Sequence, residues 1–282
     1  MQKFNYHTHT HRCKHADLSY SDEEYVLDFI KTGFKKIAFT DHCPEKNLID
    51  TRTTQRMSYE QRLEYLESIK KLKKKYASEI IIQSGYEIEF LPGEEDNLKE
   101  LKSETDKIIL GQHFIYDDNK NLKIFGRVDF SNEELLRYSK YVEQAMILGL
   151  PDIIAHPDIY MMRRKEFGET EEKVANIICR ASCKYNIPLE INLNDIFYKT
   201  YFTDKKLNSD SIEKQKEKLI NVQYPCKRFW NIAKEYDIKV LYGIDAHYKG
   251  QIALWEKLLE LANSLLGNEI IEKMNFIEDI SF

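Results

Sequence analysis

Residues 4–9 read Phe4-Asn5-Tyr6-His7-Thr8-His9, a short strand-like run that ends in two histidines one residue apart. Side chains of an extended chain alternate between faces, so His7 and His9 lie on one side and can reach one ion. The arrangement returns along the chain. Ile37–Phe39 leads into Thr40-Asp41-His42, and Ile80–Ile82 into Gly85-Tyr86-Glu87. Ile108–Leu110 precedes Gly111-Gln112-His113, Ile153–Ala155 precedes His156-Pro157-Asp158, and Val240–Tyr242 precedes Gly243-Ile244-Asp245-Ala246-His247. Counting His15, seven of the eight histidines stand just past a predicted strand. Neutral imidazole and carboxylate are the ligands borderline divalent metals prefer, so the pattern predicts a shared multinuclear metal centre.

These apolar runs, with Leu189–Ile191 as the sixth in order, read as seven strands buried on both faces. Helical patterns separate most of them. Ser21 with Glu24, Ser58 with Gln61 and Ser131 with Glu134 are capping-box pairs. After the second pair, Tyr59, Leu63, Leu66, Ile69, Leu72 and Tyr76 recur at steps of three and four, which predicts one apolar helix face. Strands alternating with helices call for a parallel sheet, open or closed. The polar clusters choose between them, because only a closed barrel brings the ends of nearly all strands to one mouth. The expected fold is therefore α/β, a distorted (β/α)7 TIM-like barrel with its metal site at the strand C-termini.

The chain has 282 residues, 42% of them hydrophobic, and is read as one domain over 1–282. No 18-residue apolar run spans a membrane, and the start lacks the apolar stretch of a signal peptide. A cytoplasmic location is expected. The net charge of −5, with signs interspersed, argues against a nucleic-acid partner. Five cysteines without a CxxC pair are expected to be reduced. Residues 198–223 are polar and lysine-rich and read as an insertion with a short helix around Ser211–Ile220; at the site-bearing face they could cover a substrate.

The motifs His7-Thr8-His9, Thr40-Asp41-His42, His156-Pro157-Asp158 and Asp245-Ala246-His247 resemble the signatures of the polymerase and histidinol phosphatase (PHP) superfamily. Glu87 and His113 match its strand-three glutamate and strand-four histidine. The stretch Arg12-Cys13-Lys14-His15-Ala16, with Ser21 to Val26, resembles the histidinol phosphatase branch. The resemblance implies three divalent ions, zinc, iron or manganese. His7, His9, Glu87 and Asp245 would hold the first. Glu87 would bridge to a second on His113 and His156, at the separation of about 3.5–4 Å usual in two-metal sites. His15, His42 and His247 would hold the third. Three ions give +6, Glu87 and Asp245 subtract two and a bound hydroxide one, and the remaining roughly +3 attracts a phosphate dianion. The implied reaction is in-line attack of metal-bound hydroxide on a small phosphorylated substrate, L-histidinol phosphate. Asp245 is also the candidate catalytic residue that orients the nucleophile or handles the leaving-group proton.

Arg163 and Arg164, shortly after His156, are the candidate substrate-binding pair, since a guanidinium fork fits two phosphate oxygens. The branch carries a further basic residue after its strand-six Glu-x-Asn motif. Here Glu190-Ile191-Asn192 is followed by no basic residue before Lys199, which leaves Arg52 and Arg56 as substitutes. Asp41 and Asp158 are candidates to orient ligand histidines or cap strand ends, and His11 reads as a surface residue. Two other readings stay open, a phosphoesterase acting on another small phosphate, a nucleotide or an oligonucleotide, and a metal-binding barrel without catalysis.

Overall fold

In the computed structural model, which describes residues 2–46, 55–203, 206–207 and 210–278, each of the seven apolar runs lies in a strand. The strands are β1 (Phe4–Asn5), β2 (Lys36–His42), β3 (Ile81–Ile88), β4 (Lys107–Leu110), β5 (Ile153–Ile154), β6 (Leu189–Asn192) and β7 (Lys239–Gly243). An eighth, β8 (Asn275–Phe276), extends the sheet beyond the sequence expectation. Spatial order follows chain order from β1 to β8, and each neighbouring pair is parallel. The sheet curls until its first and seventh strands meet. Thr8 bridges Ala246 in parallel, His9 N donates to Ala246 O at 2.9 Å, and Gln2 grips the backbone of Tyr242 from both sides.

Helices α1 (Asp22–Lys31), α2 (Arg62–Lys75), α3 (Glu95–Ser103), α4 (Asn132–Ile147) and α5 (Glu169–Tyr185) follow β1 to β5 in turn. After β6 come α6 (Asn194–Thr200), α7 (Ile212–Lys218) and α8 (Lys227–Ala233), and α9 (Trp255–Leu266) follows β7. The capping boxes at Ser21 and Ser131 are formed; Ser58 and Gln61 exchange the same bonds one turn before α2 begins. On α2 the buried face is Tyr65, Ile69, Leu72 and Tyr76, while Leu63 is 61% exposed. Leu63 sits six residues from Ile69, about 120° around the helix, and the stripe is too narrow to include it. No helix among the described residues is long and apolar enough to cross a membrane.

Two packed regions result. Phe4, Tyr6, Ala38, Ile109, Ile153, Ala155 and Leu241 fill the inside of the curled sheet, and a larger core lies between sheet and helices. The inner layer supports the residues that follow each strand, so polar side chains there stand on an apolar floor at one mouth. A hairpin of Phe114–Tyr116 and Leu122–Ile124 rises from this mouth after His113. The 198–223 segment contains the predicted short helix as α7, and Tyr198 and Tyr224 at its two ends reach the central cavity. Arg52 and part of the 198–223 segment lie outside the described residues.

Candidate metal centre and active site

Register places the first contacts. His42 pairs with Glu87 across β2 and β3, and its Nδ1 stands 2.8 Å from Glu87 Oε2. The Thr8–Ala246 bridge sets His7 and His9 against Asp245. His7 Nε2 lies 3.3 Å and His9 Nε2 3.1 Å from Asp245 Oδ1, and both nitrogens are 3.4 Å from a Glu87 oxygen. His156 Nε2 is 2.9 Å and His113 Nε2 3.7 Å from Glu87 Oε1. His15 and His247 meet through their Nε2 atoms at 2.8 Å. Seven of the nine expected ligands thus line one cavity of about 320 Å3, and His7 and His9 stand against its Glu87 and Asp245. His11 does not join them; it is exposed, with Nδ1 3.8 Å from Asp22.

The tautomers test whether this set fits metal. His7 Nδ1 faces Glu190 at 2.9 Å, His113 Nδ1 faces Glu89 at 2.7 Å, His15 Nδ1 faces Cys13 O at 3.0 Å and His247 Nδ1 faces Asp245 O at 2.9 Å. A carboxylate or carbonyl oxygen only accepts, so each Nδ1 carries a proton, and each of these rings in its neutral form presents a bare Nε2 lone pair. Two such lone pairs 2.8 Å apart, and others aimed at carboxylate oxygens, repel unless a cation lies among them. Glu87 Oε2 and Asp245 Oδ1 are also buried without a hydrogen-bond donor. The donor set fits divalent metal, and four of its seven histidines have the outward nitrogen held as metal-bound histidines usually do. Three triads, His7–His9–Asp245, His7–Glu87–His156 and His9–His42–His247, each keep their ligand atoms within 4.8 Å of one another. His9 belongs to two of them.

Electrostatics divide the histidines: burial opposes the charged form of His7 and His113, but the facing carboxylates outweigh it and raise both. Burial pushes His15 to about 4 and His247 to about 3, helped by neighbouring imidazoles, and lowers His9 and His42, so these rings stay neutral. Burial opposes ionisation of Glu87 and Asp245, but the surrounding histidines outweigh it and hold both below the usual carboxylate range. His156 and Asp245 take left-handed backbone, with φ of +29° and +52°, the strain often found where side chains must converge. Glu89 has no motif of its own, and the Glu-x-Asn motif of Glu190 does not show which histidine it faces. Glu190 also accepts from the His156 backbone N–H, and Glu89 from those of His113 and Phe114. Only their distance from histidines far along the chain gives them this role. Asp41 accepts from the Thr10 N–H at 2.7 Å and ties the β1 loop to β2. Asp158 accepts from Cys226 N and Trp230 Nε1, so it anchors the start of α8 rather than His156.

Arg163 and Arg164 are not brought to the cavity. Arg163 donates to Asp129 at 2.7 Å, and Arg164 is spread over Glu171, Phe130 O and Asn132. The nearby carboxylates and helix starts satisfy both guanidinium groups on a separate surface depression.

Glu89 gives a prediction with a pH signature. In the metal-free protein burial lowers the basicity of His113, but Glu89 and Glu87 outweigh it and raise the ring to about 9. Metal binds only the neutral ring, so affinity at this position falls about tenfold for each pH unit below that value, and metal uptake releases a proton. Glu89→Gln is expected to weaken metal about 10- to 100-fold and to flatten the pH dependence. Metal titrations from about pH 6 to about pH 9 check this; equal slopes in both proteins would refute the assignment.

A curled parallel sheet whose strand ends gather histidines and carboxylates in this way defines a barrel enzyme built around a metal-ligand cluster. The PHP domain model matches residues 5–194. Over 253 residues the chain is 24% identical to a Deinococcus radiodurans protein named probable histidinol-phosphatase, covering 87% of this chain and 86% of that one. The structure of hisK from Listeria monocytogenes, a proposed histidinol phosphatase, superposes with a TM-score of 0.68 at 25% identity, covering 89% and 97% of the two chains. Histidinol phosphate phosphatase from Lactococcus lactis, solved with zinc, L-histidinol and phosphate, shares the fold with a TM-score of 0.63 at 17% identity, over 98% and 95%. The chain belongs to the PHP domain family, and its relatives lie in the histidinol phosphatase branch.

Proposed function

We propose that this protein hydrolyses a phosphomonoester at a three-metal centre and that the substrate is L-histidinol phosphate. The observation that carries the reading is the set of bare imidazole lone pairs and buried carboxylate oxygens converging on one cavity, in a chain similar over nearly its whole length to histidinol phosphatases. His7, His9, Glu87 and Asp245 would hold one ion, Glu87, His113 and His156 a second, and His15, His42 and His247 a third. The triads support this grouping and add His9 beside the third set. When bound, the ions supply an acidified water as nucleophile and positive charge for the phosphoryl oxygens.

The remaining chemistry belongs to the chain. Glu89 and Glu190 fix the histidine tautomers. Asn192 and Asn194 donate to Asp245 Oδ2 at 3.3 and 3.1 Å, which leaves Oδ1 for His7 and His9. Asp245 is held ionised, so it can orient the attacking water by accepting a hydrogen bond from it. The second-layer carboxylates also revise the charge balance. Three divalent ions against Glu87, Asp245, Glu89 and Glu190 leave roughly +2 before water ionises, still suited to a phosphate dianion.

Phosphate release from histidinol phosphate, measured beside sugar, nucleotide and aryl phosphates and an oligonucleotide, tests the reading after loading with zinc, iron or manganese. We expect kcat/KM for histidinol phosphate to exceed every other member by about a hundredfold or more, a ratio that one or two well-made contacts provide. Comparable slow turnover on all monoesters would overturn the substrate and spare the class. Binding of fewer than two ions with no turnover would favour the non-catalytic alternative.

A further inference from the structure

We propose that Arg56 and Arg127 grip the phosphate of the substrate, in place of Arg163 and Arg164; this rests on the reading of the site as a phosphomonoesterase. Among the described residues, these two supply the lysine or arginine side chains in the wall of the metal cavity. They come from different loops. Arg56 precedes α2 after the second strand, and Arg127 follows the hairpin whose base is tied to the ligand segment by Phe125 N donating to His113 O at 3.0 Å.

Arg56 makes its hydrogen bonds through Nη1 and pairs with Glu89 through Nη2. Its Nη1 donates to Cys43 O at 3.0 Å and to the buried carboxylate of Glu45, and its guanidinium carbon lies 5.5 Å from the Phe114 ring centre. Nη2 stands 3.8 Å from Glu89, beyond hydrogen-bond distance, and the side chain as a whole is 11% exposed. A guanidinium held in this way keeps its fork in a set orientation, which lowers the entropy lost when it closes on an oxygen pair. Arg127 is exposed at the rim and supplies the second cation.

The rest of the wall favours an anion. The carboxylates of Glu87, Glu89 and Asp245 all face histidines, so no other acidic side chain among the described residues lines this cavity. A phosphate seated on the metals would present its outer oxygens to the two arginines, while Phe114, Phe125, Tyr198 and Tyr224 offer ring surface to the organic part. This places recognition on the loops after the second and fourth strands, whereas the strand-five loop that carries Arg163 and Arg164 has its arginines turned into other partners.

Arg56→Gln, Arg56→Lys and Arg127→Gln, prepared with full metal loading, test the assignment beside Arg163→Gln and Arg164→Gln. The readouts are KM and kcat, the inhibition constant of inorganic phosphate, and metal per chain. Loss of a charged hydrogen bond is expected to raise KM and the phosphate inhibition constant about tenfold or more in Arg56→Gln and Arg127→Gln, with metal content unchanged. Arg56→Lys is expected to recover part of the loss, and the two strand-five variants to match the parent. Unchanged phosphate inhibition in both cavity variants would overturn the proposal. So would loss of metal from Arg56→Gln with unchanged phosphate inhibition in Arg127→Gln, which would mark Arg56 as a support for Glu89. Inorganic phosphate binding to the metal-loaded protein, followed by calorimetry, reads the clamp even if histidinol phosphate proves not to be the substrate.

Discussion

Glu87→Gln is expected to abolish turnover, with kcat lowered about a thousandfold or more, and to release metal from the purified protein. The side chain is 1% exposed and stands within 3.7 Å of imidazole nitrogens from His7, His9, His42, His113 and His156. Five of the expected ligands therefore meet at this one carboxylate. The amide keeps the shape but removes the charge, and it turns one oxygen into an NH2 group that faces bare nitrogen lone pairs or metal. Kinetics together with metal analysis check the result. Near-normal turnover with a full metal complement would mean that Glu87 is a packing residue and that the centre is assembled otherwise.

Gly111→Ala is the second large effect, and it acts through space rather than charge. A Cβ on Gly111 would fall 1.8 Å from Glu87 Oε1, 2.4 Å from its Cδ and 2.6 Å from its Cγ. Glu87 cannot turn aside, because histidines occupy the space around its carboxylate. Either the carboxylate leaves the centre or the chain after β4 backs away with His113. We expect at least about a hundredfold loss of activity, weaker metal binding and a stability loss of about 1–3 kcal/mol, the usual cost of overpacking. Gly243→Ala should act in parallel, since its Cβ would fall 1.6 Å from Glu190 Oε1, the acceptor that fixes His7. Activity, metal content and thermal melting separate the two failures. A Gly111→Ala protein that keeps its metals and its rate would show that the strand-four turn is looser than its contacts imply.

Much of this site was legible along the chain. The alternation His7-x-His9 and the habit of polar residues to follow a buried strand pointed to one mouth, and the nine positions that the family resemblance then singled out lie together there. The tautomer-fixing partners were not legible. Glu190 is 183 residues from His7, and its Glu-x-Asn motif does not show which histidine it faces. Glu89 lies two residues from Glu87, just past the end of β3, and its contacts with His113 are to the segment after the neighbouring strand. The arginines show the opposite error. Closeness to His156 in sequence made Arg163 and Arg164 candidates, but the turn after β5 carries them to Asp129 and Glu171. Arg56, a weak candidate from position alone, lines the cavity.

Sequence alone determined what repeats with the period of a strand: seven buried runs, the ligand types that follow them, and hence a closed parallel barrel with a metal mouth. These are local properties, set by side-chain alternation and by the need to bury apolar strands. The tertiary structure decided everything that depends on a distance between remote segments. It closed the seam through Thr8 and Ala246, turned each imidazole by the oxygen behind it, and directed each long arginine toward its strongest available acceptor. Ligand identity is written in the chain, whereas proton position and cation direction are set by neighbours the chain brings together only when folded.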